Sequence, residues 1–534
     1  MRCYDLTDPE SRVVGKVLRD QAAHIGDVVW LHSDDRKVTF AQAEAIVNQY
    51  ARGLIAAGVE KGESVAMLVD PSIEAMLLAM AVTRAGALFT TINTDFHTAF
   101  LEDAIREALS TKLIVDPQYL ARLDKLPTLA GLEKVFTIGA APAIAAISHA
   151  NIEDWLSLSS DPVEEQSRWL DPVQCWWSSG TTGKPKGILH SHSSVLVQCT
   201  AYNREYLDGE VLYACTPLYL GSAWSGSLWT SLVYGVTAAI DARFSVSRFW
   251  DRIRHYKATQ AFTLGAMHIL LYKQPPTPRD TDHSLRRFVA IPMPSDLIPK
   301  FKKRFGIAAM SQGYGTSETF RVFDSPDDNS DKTGALIGTP VPRYEVALLD
   351  TNDLPVPVGT GAEICVRPKE PGHLFLGYFN DPQRTLDSWT NLWHHTGDMA
   401  VRKEDGQYYF ADRKKDYIRY KGRSLSMFEI EQVVDKHEEV ADVAAYGIQS
   451  EELESEAELM IAVVRRPGAS VTVEQLARFI NDEAPYFYVP RFIRFIDELP
   501  RNAHGRIQKN ELRDEGVTAD TWDREATDFV VTRG

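Results

Sequence analysis

One decapeptide concentrates more chemistry than any other stretch of this 534-residue chain. Residues 178–187 read SSGTTGKPKG, directly after the apolar run VQCWW. Gly180, Gly183 and Gly187 allow backbone N–H groups to approach phosphate oxygens closely. Ser178, Ser179, Thr181 and Thr182 add hydroxyl donors, and Lys184 and Lys186 supply positive charge. A plain surface turn has no need of so dense a donor set. Nor is this a Walker A loop, which places Ser or Thr after its Gly-Lys pair to hold Mg²⁺. Pro185 occupies that place, which argues against a P-loop NTPase, the alternative from another class. The histidines at 190, 192, 394 and 395 could serve a metal, but no Cys/His/carboxylate set shows ligand spacing along the sequence.

Four further motifs follow in order: YGTSE at 314–318, HTGD at 395–398, DRKKD at 412–416 and GRIQK at 505–509. Together with the decapeptide they resemble, over essentially the whole chain, the adenylate-forming superfamily. Its members are acyl-CoA synthetases, firefly luciferase and nonribosomal-peptide adenylation domains. The resemblance implies that residues 178–184 and Lys186 bind the phosphates of ATP, and that Gly313, Tyr314 and Gly315 border the adenine, with Tyr314 stacking on it. Ser317, where the family usually has Thr, would bond the α-phosphate. Glu318 would hold Mg²⁺, a hard cation suited to carboxylate oxygens. Asp398 would accept from the ribose hydroxyls, with Arg413 as a second contact, and Lys509 would stabilise charge as the acyl-adenylate forms. A hinge at Lys415 would alternate Lys509 with the Gly422 loop, which would face the CoA tunnel. The run at 512–524 resembles the carnitine/crotonobetaine-CoA ligase branch. The expected activity is therefore an AMP-forming acid–thiol ligase using ATP, Mg²⁺ and CoA. Transfer to a carrier protein's phosphopantetheine is the alternative.

Composition is that of an ordinary folded protein: 44% hydrophobic and 24% charged residues, with a net charge of −16. So acidic a chain argues against broad binding to nucleic acid or anionic membranes. The partners expected are a carboxylic acid, ATP and CoA, with a homodimer left open. Five widely spaced cysteines and no Cys-x-x-Cys pair argue for a reducing compartment, and the first residues carry no signal-peptide core, so a cytoplasmic location is expected. Residues 211–240 hold no charge but many Ser, Thr and Gly. That reads as buried backbone lining a pocket rather than a membrane span.

The elements that must position these motifs follow from periodicity. Thr39 and Gln42 form a capping-box signature ahead of a helix ending near Gly58. Apolar strands at 64–68 and 88–92 flank a helix capped by Ser72, and a strand at 173–177 leads into the phosphate loop, followed by a helix opened by Ser193. Continuous apolar strands between amphipathic helices predict an α/β fold of mostly parallel sheets covered on both faces. Short strands such as 361–367 and 405–410 predict a β-rich subdomain over about 340–414. Elements at 429–437, 440–447, 459–465, 473–483 and 492–497 predict a small α+β domain. The expected division is a large domain at 1–414 and a small mobile one at 415–534.

The segment 219–227 bears on the acid. Tyr219, Leu220 and Trp224 would wall the acyl pocket, while the small residues around them leave volume. With no charge in 211–240, the expected substrate is bulky and mainly hydrophobic. Two places depart from the family pattern: Leu220 after Pro217-Leu-Tyr219, and AIPMP at 290–294 in place of a glycine-alanine loop.

Overall fold

The computed structural model describes all residues except 1–2, 97, 127, 130, 180–184, 201–207, 265, 292, 294–296, 326–335, 414–416, 421–422, 450–456, 485–487, 503–504 and 533–534. The chain divides into two compact units: residues 1–346 with 366–394, and residues 347–365 with 395–534. The position 414/415 thus falls inside the second unit, which takes in much of the β-rich segment.

Unit one carries two large α/β sheets. The first has seven strands, ordered Ala309–Ser311, Arg287–Ile291, Gln260–Leu264, Val211–Ala214, Thr237–Ile240, Val29–Ser33 and Arg36–Thr39. All pairs are parallel except the last. The second has eight, ordered Gly377–Tyr378, Pro185–Ser191, Pro172–Ser179, Leu88–Thr91, Ser64–Leu68, Lys112–Val115, Lys134–Thr137 and His149–Asn151. It is parallel from Pro172–Ser179 onward. The helix Ile73–Arg84 packs against a strand of each sheet. Every residue in it but Glu74 is buried, which is why its sequence is apolar all round rather than striped. Its last residue, Arg84, is fully buried, yet its two terminal nitrogens donate to Glu44, Asn48 and the Gly15 carbonyl, and its Nε lies 3.5 Å from Glu165 Oε2.

Local signals in the sequence have their physical counterparts. Thr39 Oγ1 accepts from Gln42 N while Gln42 Oε1 accepts from Thr39 N, which opens the helix Phe40–Ala56. The helix after the phosphate loop starts one step earlier than expected. Ser191 caps His192–Val197 by accepting from Ser194 N, so Ser193 lies inside it.

The uncharged stretch 211–240 is broken by hydroxyls and glycine rather than spanning anything. It runs through strand Val211–Ala214, helix Gly221–Ala223, π-helix Trp224–Leu228, helix Trp229–Tyr234 and strand Thr237–Ile240. Gly235 ends the helical part in the left-handed region, at φ 63°. Among the described residues no helix is long and apolar enough to cross a membrane.

Unit two holds the later part of the β-rich segment and a four-stranded sheet. In the former, strand Trp393–Arg402 pairs antiparallel with Tyr408–Arg413. The latter is ordered Val440–Gln449, Ala457–Arg465, Phe492–Phe495 and Trp522–Asp523. Helices Met427–Val434 and Val473–Glu483 pack Ile430, Val434, Leu476 and Ile480 into its apolar core. Thr472 and Gln475 form a second capping box on the latter helix.

Candidate active site

Strands Pro172–Ser179 and Pro185–Ser191 pair as an antiparallel hairpin, in register from Ser179 opposite Pro185 to Trp177 opposite Gly187. The tip itself, Gly180, Thr181, Thr182, Gly183 and Lys184, lies outside the described residues. Ser178 precedes it with a buried hydroxyl. Just beyond the tip, Lys186 Nζ lies 2.5 Å from Glu318 Oε1. Tyr378 completes the group, donating its hydroxyl to the same carboxylate oxygen at 2.9 Å, with its ring beneath the ammonium at 4.9 Å. Residues 186, 318 and 378 are far apart in sequence, and the hairpin, the YGTSE turn and strand Gly377–Tyr378 bring them together.

Glu318 is 5% exposed. Burial opposes its charged form, yet the Lys186 charge and hydrogen bond, with His394 and the Tyr378 hydroxyl, outweigh it and hold the carboxyl at about 2. Burial, and the Glu318 charge with its hydrogen bond, push the Tyr378 phenol up, so it stays a donor.

The turn carrying Ser317 and Glu318 is fixed from two sides. His190 sits beneath it, fully buried between Trp176 and Phe320, with ring centroids 4.4 Å from each. Its Nε2 donates to the Ser317 carbonyl at 2.8 Å, and its Nδ1 lies 3.1 Å from Ser194 Oγ, a hydroxyl that also reaches the Ser191 carbonyl at 3.0 Å. Burial lowers the imidazole to about 3, so it is neutral and has the single ring N–H that this pattern requires. On the other side the Tyr344 hydroxyl lies 2.6 Å from the Thr319 carbonyl. Phe320 closes the turn at φ 54°, a conformation that costs energy for a non-glycine residue and persists because the surroundings impose it.

Tyr314 is buried, with its ring 5.9 Å from Phe323. The flanking glycines have a reason of their own. A Cβ on Gly315 would lie 1.7 Å from the Phe320 carbonyl oxygen, and one on Gly313 2.4 Å from that of Phe323. Gly313 and Gly315 are thus required by the close pairing of Gly313–Thr316 with Phe320–Asp324.

In the second unit Asp398 and Arg413 are register partners on adjacent strands. Glu363, Cys365 and His395 shape the turn before Asp398. Glu363 Oε2 lies 3.0 Å from His395 Nδ1 while its other oxygen accepts from Gly397 N, and Thr396 donates to the Ile364 carbonyl. Among the described residues this trio alone gathers metal-ligand atoms within 4.8 Å, a cluster the sequence reading did not see because strand pairing, not sequence spacing, assembles it. Its hydrogen bonds account for it as a brace for the HTGD turn. Lys509 opens helix Lys509–Glu515, and its ammonium lies 2.9 Å from Glu431 Oε1. Lys415 and Gly422 lie outside the described residues.

A small cleft, open to solvent, lies in unit one between the π-helix and the seven-stranded sheet. Leu212, Phe262 and Val289 give it apolar walls, while Ser225, Thr230 and Arg321 give it polar ones. Tyr219, Leu220 and Trp224 do not line it. Trp224 is fully buried against Phe89 and Trp229, and its indole N–H donates to the Leu218 carbonyl at 2.7 Å, so it anchors the segment. Arg321 is the charged residue that the reading of 211–240 missed. It comes from a strand more than eighty residues later, and its place became visible only with the fold.

With this geometry in hand, comparison with known proteins is decisive at the family level. Residues 18–379 match the AMP-binding enzymes, and residues 429–506 match the AMP-binding enzyme C-terminal domain. The chain is 26% identical over 497 residues to the crotonobetaine/carnitine–CoA ligase of Citrobacter koseri, covering 90% of this chain and 93% of that one. It is 28% identical over 516 residues to the 3-hydroxybenzoate–CoA ligase of an Aromatoleum species, covering 93% and 94%. It is 27% identical to the medium/long-chain-fatty-acid–CoA ligase FadD6 of Mycobacterium tuberculosis, covering 97% and 88%. The fold matches ATP-bound MatB from Rhodopseudomonas palustris (TM-score 0.80, 22% identity, 94% and 98% covered). It also matches the anthranilate CoA ligase AuaEII in complex with anthranoyl-AMP (TM-score 0.79, 23% identity, 94% and 97% covered). The chain belongs to the AMP-binding enzymes, the adenylate-forming superfamily. It is an enzyme of that superfamily's AMP-forming acid–thiol ligase class.

Proposed function

We propose that this chain activates a carboxylic acid with ATP and passes the acyl group to coenzyme A. In the first step a carboxylate oxygen bonds to the α-phosphorus of ATP and the bond to pyrophosphate breaks, leaving acyl-AMP. In the second, the CoA sulfur bonds to the acyl carbon, the acyl–oxygen bond to AMP breaks, and the thiol proton leaves. The observation that carries this reading is the convergence of Lys186, Tyr378 and the buried, ionised Glu318 beside a hydroxyl-rich hairpin.

Each chain residue then has a task. Lys186 and the 178–184 tip bind phosphates, Ser317 bonds the α-phosphate, and His190 holds Ser317 in place. Gly313, Tyr314 and Gly315 border the adenine, and Asp398 and Arg413 bind the ribose. Lys509 supports charge in the first step, and a hinge at Lys415, between domains 1–414 and 415–534, brings the Gly422 loop to CoA for the second. The donor set of the 316–318 turn, an ionised carboxylate with two hydroxyls, suits a hard cation. Mg²⁺ would be held by Glu318 together with substrate phosphates, whose charge it would neutralise.

The acid is bulky and largely apolar. Leu212, Phe262 and Val289 support this, and the relatives' own acids range from carnitine to an aryl acid and fatty acids. We place the enzyme in the cytoplasm, supported by five free cysteines. The test is mass-spectrometric detection of acyl-AMP and acyl-CoA from a panel of acids with ATP, Mg²⁺ and CoA. Absence of both from every acid would overturn the reading.

A further inference from the structure

We infer that Glu363, Cys365 and His395 form a zinc-binding site that ties a strand of unit two to the HTGD turn. The site is separate from the Mg²⁺ that accompanies ATP, and it does not depend on the ligase reading above.

Three observations carry it. First, the ligand atoms already stand near the spacing of a tetrahedral shell. His395 Nδ1 lies 3.0 Å from Glu363 Oε2 and 3.5 Å from Cys365 Sγ, and one ligand atom from each residue falls within 4.8 Å of the others. Zinc bonds of about 2.0–2.1 Å to nitrogen, 2.3 Å to sulfur and 2.0–2.2 Å to oxygen set such atoms about 3.3–3.6 Å apart. Both separations from the imidazole nitrogen come within about 0.3 Å of that range. Second, Glu363 and Cys365 are buried and His395 is partly so, which leaves the His395 side for entry of a cation and of a water as fourth ligand. Third, another carboxylate stands behind the imidazole. Asp353 Oδ1 lies 3.6 Å from His395 Nε2, a buried nitrogen with no hydrogen-bond partner among the described residues. A metal-bound imidazole usually gives its other N–H to a carboxylate. Binding at Nδ1 leaves the ring proton on Nε2, where Asp353 accepts from it after a small shift.

The donor set decides the metal. One thiolate and one carboxylate cancel the two charges of Zn²⁺, so the bound cluster is neutral and can sit where an unbalanced ion could not. A mixed sulfur, nitrogen and oxygen set suits Zn²⁺, whereas Mg²⁺ takes an octahedron of oxygens. On binding, the Cys365 thiol gives its proton to solvent, and the contact between Nδ1 and Oε2 is exchanged for a bond from each to the metal. The other Glu363 oxygen keeps the Gly397 N–H at 2.9 Å, so the turn ahead of Asp398 stays held. Hydrogen bonds already brace this turn, and zinc strengthens the brace.

The experiment titrates the whole chain, freed of metal by chelation, first with Co²⁺ and then with Zn²⁺. Co²⁺ should bind one equivalent, with a thiolate charge-transfer band in the near ultraviolet and the intense visible bands of four-coordinate cobalt, and Zn²⁺ should bleach both. Zn²⁺ should also raise Tm, which Mg²⁺ at the same concentration should not. Cys365→Ala should lose the charge-transfer band and weaken Zn²⁺ binding by about 100-fold or more. Asp353→Asn should keep the band and weaken binding by about 10–100-fold. Cys365→Ala and His395→Gln each remove one ligand, so either of them, shown to be folded by circular dichroism, serves as the test. No cobalt band in the wild type, a charge-transfer band that persists in Cys365→Ala, or a Zn²⁺-induced rise in Tm equal in the wild type and a folded ligand variant would each overturn the inference. None of these results bears on the ligase reading, which pyrophosphate exchange tests separately.

Discussion

Lys509 Nζ lies 2.9 Å from Glu431 Oε1, so the lysine assigned to the adenylation step is already charge-paired within its own unit. Glu431 is also held, accepting from Ala445 N at 2.8 Å. To serve the acyl phosphate, Lys509 must exchange this partner for substrate oxygens. Two substitutions should therefore act in opposite directions. Lys509→Ala removes a cation from developing charge and should cut pyrophosphate exchange by about 10²–10³-fold. It should leave thioester formation from supplied acyl-AMP largely intact. Glu431→Gln keeps an acceptor for Ala445 and frees the lysine, so exchange should hold or rise by about two- to fivefold. A loss in Glu431→Gln comparable to that of Lys509→Ala would show that the pair itself is the working state.

The Lys186–Glu318–Tyr378 group makes a prediction about pH. Glu318 has its folded value depressed from 4.5 to about 2, so its contribution to stability is present above 4.5 and is lost as pH falls toward 2. The wild-type acid limb should accordingly show no step from Glu318 above about pH 4.5. In Lys186→Met the carboxylate stays buried without its cation, so its protonation should move up into the assayed range while exchange falls by about 10²-fold or more. Tyr378→Phe loses one hydrogen bond and should cost only about fivefold. An unmoved acid limb in Lys186→Met would show that Glu318 draws its ionisation from elsewhere.

His190 and His192 give a second pH signature, in folding rather than rate. Both are fully buried, and burial lowers each from 6.5 to about 3. A depressed imidazole favours the fold while neutral, so stability is full above 6.5 and is lost as pH falls from there toward 3. With two such groups the slope well below 6.5 approaches about 3 kcal/mol per pH unit. Urea unfolding followed by tryptophan fluorescence between pH 7.5 and 5 measures it. His190→Gln keeps a donor for the Ser317 carbonyl and should halve the slope. A flat profile across that range would contradict the burial of both rings.

The hinge assignment has its own test. Proline fixes φ near −65°, so Lys415→Pro should let adenylation proceed while thioester formation falls. Equal loss of both half-reactions would remove Lys415 from that role.

Much of this was legible in the sequence, for identifiable reasons. Local signals survived intact: the Thr39–Gln42 box, the all-buried strand Ser64–Leu68 and the helix Val473–Glu483 stand where pattern and capping put them. The motif residues were visible because their types are chemically dense. Their partners were not. Tyr378 and His190 sit in ordinary strand sequence, and only pairing of distant strands shows what they hold. Likewise Trp224 read as a pocket wall because a flat apolar ring suits one, but its indole N–H found a backbone carbonyl and its ring joined the core. The cleft's charge came from Arg321, and the brace before Asp398 from Glu363, each contributed by a strand remote from the motif it serves.

The most direct test of the central claim is product stoichiometry. Purified enzyme is incubated with ATP, Mg²⁺, CoA and the acid panel, and nucleotides and acyl species are quantified together by mass spectrometry. AMP, pyrophosphate and acyl-CoA should appear in equal amounts for an accepted acid, and acyl-AMP should accumulate when CoA is omitted. Formation of ADP and phosphate in place of AMP and pyrophosphate, or acyl-CoA without any acyl-AMP in the CoA-free reaction, would contradict it.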